Sequence, residues 1–109
     1  MAWLVRGEDV LASLEVADSF ASRLKGLLGR DGLDGAFLIQ PAMSVHTIGM
    51  RFAIDVAFLS RDLTVVDVVT MPPYRVGLIR PAARSVVEAE AGAFERWNLR
   101  RGDLLEIRA

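Results

Sequence analysis

Apolar positions fall in short blocks divided by polar, glycine and proline punctuation, and the blocks carry two different periods. Val10–Val16 is apolar-rich and extended. Trp3–Val5 can pair with it across Gly7-Glu8-Asp9, a polar turn containing glycine. Asp18-Ser19 then offers a helix N-cap. Phe20, Leu24, Leu27 and Leu28 follow at i, i+4, i+7 and i+8, an apolar stripe with Ser22, Arg23 and Lys25 off it. The spacing predicts a helix over about 19–29 whose leucine stripe packs on a sheet. Gly29 would end it, Arg30 would suit the negative end of its dipole, and Gly26 would sit inside it at a cost of about 1 kcal/mol relative to alanine.

Beyond the turn-rich Asp31–Gly35, Ala36–Ile39 reads as a short strand stopped by Pro41. Ala53–Leu59 is almost continuously apolar, interrupted by Asp55, and Thr64–Thr70 returns after the turn Ser60-Arg61-Asp62-Leu63. With Arg61-Asp62 at the tip, Phe58 faces Val65, Val56 faces Asp67, and Asp55 lies opposite Val68. Both faces of this hairpin are largely apolar, which predicts a central place in the fold. Pro72-Pro73 breaks the second strand, and Tyr74–Arg80 is irregular or a weak strand. Ser85–Ala89 reads as a strand, and about 92–99 as a short helix that plugs Phe94 and Trp97 into an end of the core. Leu104–Ile107 is a closing strand. Six to eight short strands with two helices make an α+β pattern, mostly antiparallel, and such a set is expected to close into a barrel-like sheet.

Composition narrows the function classes. A chain of 109 residues is expected to form a single domain. The formal charge is −1, without the basic footprint of a nucleic-acid binder. There is no cysteine, so thiol catalysis, disulfides and cysteine-based zinc or iron–sulfur sites lack their ligands. No apolar run approaches the roughly 20 residues of a membrane span, and the first residues do not read as a signal peptide. A cytoplasmic protein, monomeric or weakly dimeric, is the expectation. No nucleotide-binding glycine loop and no Gly-x-Ser-x-Gly turn occurs.

The most distinctive run is His46-Thr47-Ile48-Gly49-Met50-Arg51, continuing through Ala53-Ile54-Asp55 into the apolar strand. It resembles the "domain of unknown function 192" family of prokaryotic proteins, whose pattern here is similar to His-Thr, then Met-Arg/Lys, then Pro-Ile/Leu-Asp. Arg23-Leu24-Lys25-Gly26-Leu27-Leu28 is similar to the family's helix ending in Gly-Leu-Met, and Pro81, Val86–Glu90, Gly92 and Gly102-Asp103 follow in order. Ala53 stands where the family usually has proline, and Leu28 where it commonly has methionine. The resemblance runs from about Val16 to Ile107 and implies a fold and a site location without an established activity. Many members look exported or membrane-anchored through an N-terminal segment that does not stand at the start of this sequence.

Several side chains carry candidate chemistry. His46, the only histidine, suits a hydrogen-bonding, acid–base or ligand-binding role, or the structural one of organising its loop. Asp55 in an apolar strand needs partners, and His46, Thr47, Arg51 or backbone N–H groups are available. A His46–Asp55 pair would serve as a structural clip or as catalytic groups. Met43, His46 and Met50, spaced by three and four, offer soft donors for Cu(I), although methionine is more commonly a core filler; no metal or cofactor is expected. Arg51, Arg75, Arg80 and Arg84 bracket the central hairpin and form either an anion pocket or a solvated surface set. The leading expectation is a non-catalytic module binding a small ligand, anionic ones included, or a protein partner. Its cleft would be formed by the His46–Arg51 loop and the Pro72–Arg80 segment, with His46, Thr47, Met50, Arg51, Asp55 and Arg75 as binding residues. The alternatives are an enzyme using His46 and Asp55, and a structural accessory domain.

Overall fold

A computed structural model describes residues 2–109, the side chain of Phe20 excepted. Seven strands and two short helices follow one another as β1 (Ala2–Arg6), β2 (Asp9–Ala17), α1 (Phe20–Lys25), β3 (Ala36–Ile39), β4 (Ile54–Leu59), β5 (Val65–Met71), β6 (Ser85–Glu90), α2 (Ala93–Trp97) and β7 (Glu106–Arg108). They form one mixed sheet in the order β5-β4-β6-β3-β2-β1-β7. Only β2 and β3 run parallel; the other pairs are antiparallel. The α+β class holds, but the sheet is not the expected barrel. Its edges β5 and β7 stay apart because β7 is only three residues long. The chain just before β7 meets the start of β5 at one bridge, Thr64 with Leu104, flanked by backbone hydrogen bonds of Val65 with Asp103 and Gly102 and of Leu105 with Leu63.

Two apolar layers cover the two faces of this sheet. On one, Leu4, Leu14, Leu38, Leu59 and Val87 pack with Phe94 and Leu99. On the other, Phe37, Ile54, Val56, Phe58 and Val86 pack with Leu27, Val45 and Met50. A strand covered on both sides needs apolar residues at every position, and all six residues of β4 are buried. β5, by contrast, is an edge strand, so only half of the hairpin is central as expected.

The hairpin register differs from a two-residue tip. Its loop is Arg61-Asp62-Leu63, closed by the Ser60 N–H to the Thr64 carbonyl at 2.9 Å, with Leu63 at φ 70°. A three-residue loop with its last residue left-handed is a recurrent hairpin form. A bulge follows between Phe58 and Leu59, so Phe58 pairs with Asp67, Val56 with Val69 and Asp55 with Thr70.

The helices are shorter than their apolar spacing predicts. Ser19 caps α1, its hydroxyl accepting the Ser22 N–H at 3.1 Å while the Ser22 hydroxyl accepts the Ser19 N–H at 3.2 Å. Gly26 is not inside the helix but ends it, at φ 51°, a conformation glycine adopts without a Cβ penalty. Leu27 therefore turns into the sheet layer, whereas Leu24 is 70% exposed and Leu28 is also exposed, so the stripe does not pack as a unit. Phe20's side chain lies outside the described residues. Arg30 does not close the helix; it forms a two-pronged pair with Glu15 at 2.6 and 3.1 Å. Phe94 does plug the core as expected, with Trp97 partly buried beside it and the ring centroids 5.4 Å apart.

Candidate functional site

The segments that contain most of the expected binding residues are zipped together by backbone hydrogen bonds. The Thr47 N–H donates to the Arg75 carbonyl at 2.8 Å, the Tyr74 N–H to the Thr47 carbonyl at 2.9 Å, and the Gly77 N–H to the Val45 carbonyl at 2.8 Å. His46 bridges Val76. Thr47, fully buried, ties the ribbon: its hydroxyl donates to the Pro72 carbonyl at 2.6 Å and accepts the Arg75 N–H at 2.9 Å. Position 77 requires glycine, because a Cβ there would lie 2.7 Å from the Val45 carbonyl oxygen. Val76, Leu78 and Ile79 leave an exposed apolar strip on this ribbon.

A cavity of about 210 Å³ lies on the inner side of the ribbon, between it, α1 and the sheet. His46 and Met50 line it from the ribbon side, and Arg23 and Lys25 from α1. Its floor holds Glu88, in the middle of β6, paired with Phe37 on one side and Val56 on the other. Glu88 is 3% exposed. Burial pushes its carboxyl up to about 7, and no hydrogen-bond donor or cation among the described residues offsets that penalty. Buried carboxyl groups normally have partners, so an unpartnered one on a cavity wall marks the position from which a ligand would be recognised.

Glu88 is not among the candidate residues read from the sequence. The available signal was its parity with Val86. In a strand flanked by two apolar strands, that parity turns Glu88 into the packed layer.

The other expected residues are dispersed. His46 is exposed at the cavity rim, and its Nδ1 accepts the Ile48 N–H at 3.3 Å. It does not meet Asp55, which points to the opposite face of the sheet. There the Asp55 carboxylate accepts the Thr70 hydroxyl at 2.6 Å and the N–H groups of Gly92 and Phe94 at 2.9 and 3.1 Å. It thereby satisfies the first free donors of α2, so backbone N–H groups and Thr70 replace the proposed His46–Asp55 pair. A wider hollow of about 380 Å³ opens beside Asp55, but three donors already engage the carboxylate on its wall.

The arginines do not converge on an anion pocket. Arg51 pairs with Asp31 at 2.9 Å, both exposed, and Arg80 with Asp67 at 3.1 Å. Arg84 donates to the Pro81 and Ala83 carbonyls, and Arg75 reaches only the Tyr74 carbonyl. Met43 is exposed and lies outside the cavity that His46 and Met50 line, so the three soft donors are not gathered. Among the described residues no group of three or more His, Asp or Glu is placed to hold a metal ion, and no helix is long and apolar enough to cross a membrane.

The fold and site define a small mixed-sheet domain with a cavity beneath a two-segment ribbon, lined by a buried carboxyl and two cations. The chain belongs to the family "Uncharacterized ACR" (DUF192), whose model matches residues 3–107. A UPF0127 protein of Pyrococcus furiosus is 32% identical, covering 94% of this chain and 93% of the relative. One from Pyrococcus abyssi is 33% identical, covering 85% and 84%. A crystal structure of a protein of unknown function from Novosphingobium aromaticivorans superposes with a TM-score of 0.81 at 22% identity, covering 96% of this chain and 82% of that one. One from Sinorhizobium meliloti, described as a candidate transcription regulator, gives 0.79 at 20% identity, covering 96% and 90%. These two likenesses show the shared fold alone.

Proposed function

We infer that this protein is a small-molecule-binding domain whose ligand enters the cavity between α1 and the ribbon and is recognised from below by Glu88. The observation that carries this reading is the Glu88 carboxyl itself, nearly inaccessible, without a hydrogen-bond partner among the described residues, and lining a cavity. Leaving such a group unpaired costs stability, and a ligand with donors removes that cost. Of the residues expected from the sequence, His46 and Met50 take part as lining groups. Thr47 holds the ribbon, Asp55 holds α2, and Arg51 and Arg75 are surface residues.

The test is a fragment screen followed by two-dimensional amide NMR. Hits are expected to shift the amides of Gly26, Val45, His46 and Gly77 together. Hits confined to the hollow beside Asp55, or none at all, would refute the assignment.

Acid–base catalysis is a second reading, favoured by one observation. An acid raised to about 7 in a cavity with an imidazole at its rim resembles the tuning that proton-transfer sites use. It requires a bound substrate near Glu88, so ligand discovery precedes its test.

A further inference from the structure

On the reading that the cavity is a ligand site, its polar groups also specify the ligand, because they are sorted by depth. Glu88 is buried, whereas Arg23 is half-buried and Lys25 exposed on the same wall, which sets the carboxyl deepest and the cations toward the mouth. Lys25 is exposed and donates no side-chain hydrogen bond among the described residues, although its charge also acts on the Glu15 carboxylate. Arg23 spends one nitrogen on the carbonyls of Asp18 and Gln40, at 3.1 and 3.4 Å. The remaining N–H groups of its five-donor fork are free for an anion. His46 accepts the Ile48 N–H at Nδ1, which leaves Nε2 to serve as a donor. Between the two levels the wall is apolar: Leu27, Ile39, Val45 and Met50.

A molecule that matches this wall has N–H donors at its inner end, an anion at its outer end and methylenes between them. Against ionised Glu88 an inner carboxylate would meet a like charge, and an inner hydroxyl offers a single donor. An ammonium supplies three donors and the opposite charge. The volume is below the roughly 300–1,000 Å³ of pockets that hold drug-sized ligands, so the occupant is short. We propose that the cavity binds a small unbranched ω-amino carboxylate, its ammonium on Glu88 and its carboxylate facing Arg23 and Lys25. An α-amino acid carries both charges on one carbon and cannot reach both levels.

Amide-NMR titrations of the whole chain with four probes test this: 5-aminopentanoate, its isomer norvaline, pentylamine and pentanoate. 5-Aminopentanoate is expected to bind at least about tenfold more tightly than norvaline or pentanoate, since a charge-assisted hydrogen bond is worth at least one factor of ten. Glu88→Gln should weaken 5-aminopentanoate by about tenfold or more and leave pentanoate unchanged. Lys25→Ala, at an exposed position, should weaken 5-aminopentanoate and leave pentylamine unchanged. Pentanoate or norvaline bound in the cavity as tightly as 5-aminopentanoate, or indifference to Glu88→Gln, would overturn the proposed class while the cavity remained a ligand site. No amide shift from any of the four would overturn both.

Discussion

Raising the pH from 5 to 8 should destabilise this protein through Glu88, and Glu88→Gln should abolish that loss. In the unfolded chain the carboxyl has its ordinary value of 4.5, while in the folded protein burial raises it to about 7. Between those values the folded state holds a proton that the unfolded state has released. Stability is therefore greatest below 4.5 and falls as the pH rises through 7, opposite in sign to an ion-paired carboxylate. At about 1.4 kcal/mol per pH unit the full loss is roughly 3 kcal/mol, of which about 2.5 kcal/mol falls between pH 5 and 8. For a domain of this size that is roughly a 10 °C fall in Tm. The assay is urea or thermal denaturation of both proteins at half-unit pH intervals, read as the difference between them. The carboxyls of Glu15, Asp62 and Glu106, held low by Arg30, by Ser60 and Thr64 donors and by Arg108, change charge below this window. Parallel profiles for the two proteins would refute the argument, because Glu88 would then ionise in the fold as freely as in water.

Other sites give independent checks. Asp55→Ala removes the acceptor of one hydroxyl and two backbone N–H groups and should cost about 3 kcal/mol in urea denaturation, with Thr70→Val costing about 1 kcal/mol. Gly77→Ala drives a Cβ against the Val45 carbonyl oxygen. It should cost about 2 kcal/mol by the same assay and speed amide hydrogen exchange along the ribbon, whereas exchange in β1 and β2 stays slow. Glu15→Ala breaks the Arg30 pair at a largely exposed site and should change stability by less than about 1 kcal/mol, an effect that disappears in high salt.

Much of the fold is legible along the chain, because periodicity and punctuation act locally. The β1–β2 hairpin announces itself by Gly7-Glu8-Asp9, α1 begins at its serine cap, and Phe94 and Trp97 mark the face of α2 that packs. What could not be read locally are the points where one backbone conformation redirects everything beyond it. Gly26 turns left-handed and takes Leu27 and Leu28 off the helical stripe. Leu63 and the bulge at Phe58–Leu59 move Thr70, instead of Val68, opposite Asp55. That shift supplies Asp55 with a hydroxyl partner and frees it from His46. That the sheet stays open, contrary to the expected barrel, was equally invisible, since it depends on how far β7 extends beyond the contact with the start of β5.

The candidate site was half legible. The run from His46 to Met50 stood out by residue type and does border the cavity. Glu88 did not, because a carboxylate two positions before Glu90 looks solvated until the strands on both sides of β6 are known. Arg51, Arg75, Arg80 and Arg84 looked like a set because they are close in sequence, yet the ribbon and the hairpin separate them onto different partners.

The central claim is that Glu88 is an uncompensated acid facing a cavity. Carbon-13 NMR of its side-chain carboxyl, followed across pH in the free protein, measures this directly. The account predicts a titration midpoint near 7, far above that of a solvated glutamate. A midpoint near 4.5 would contradict it and leave the cavity without the group that gives it a purpose.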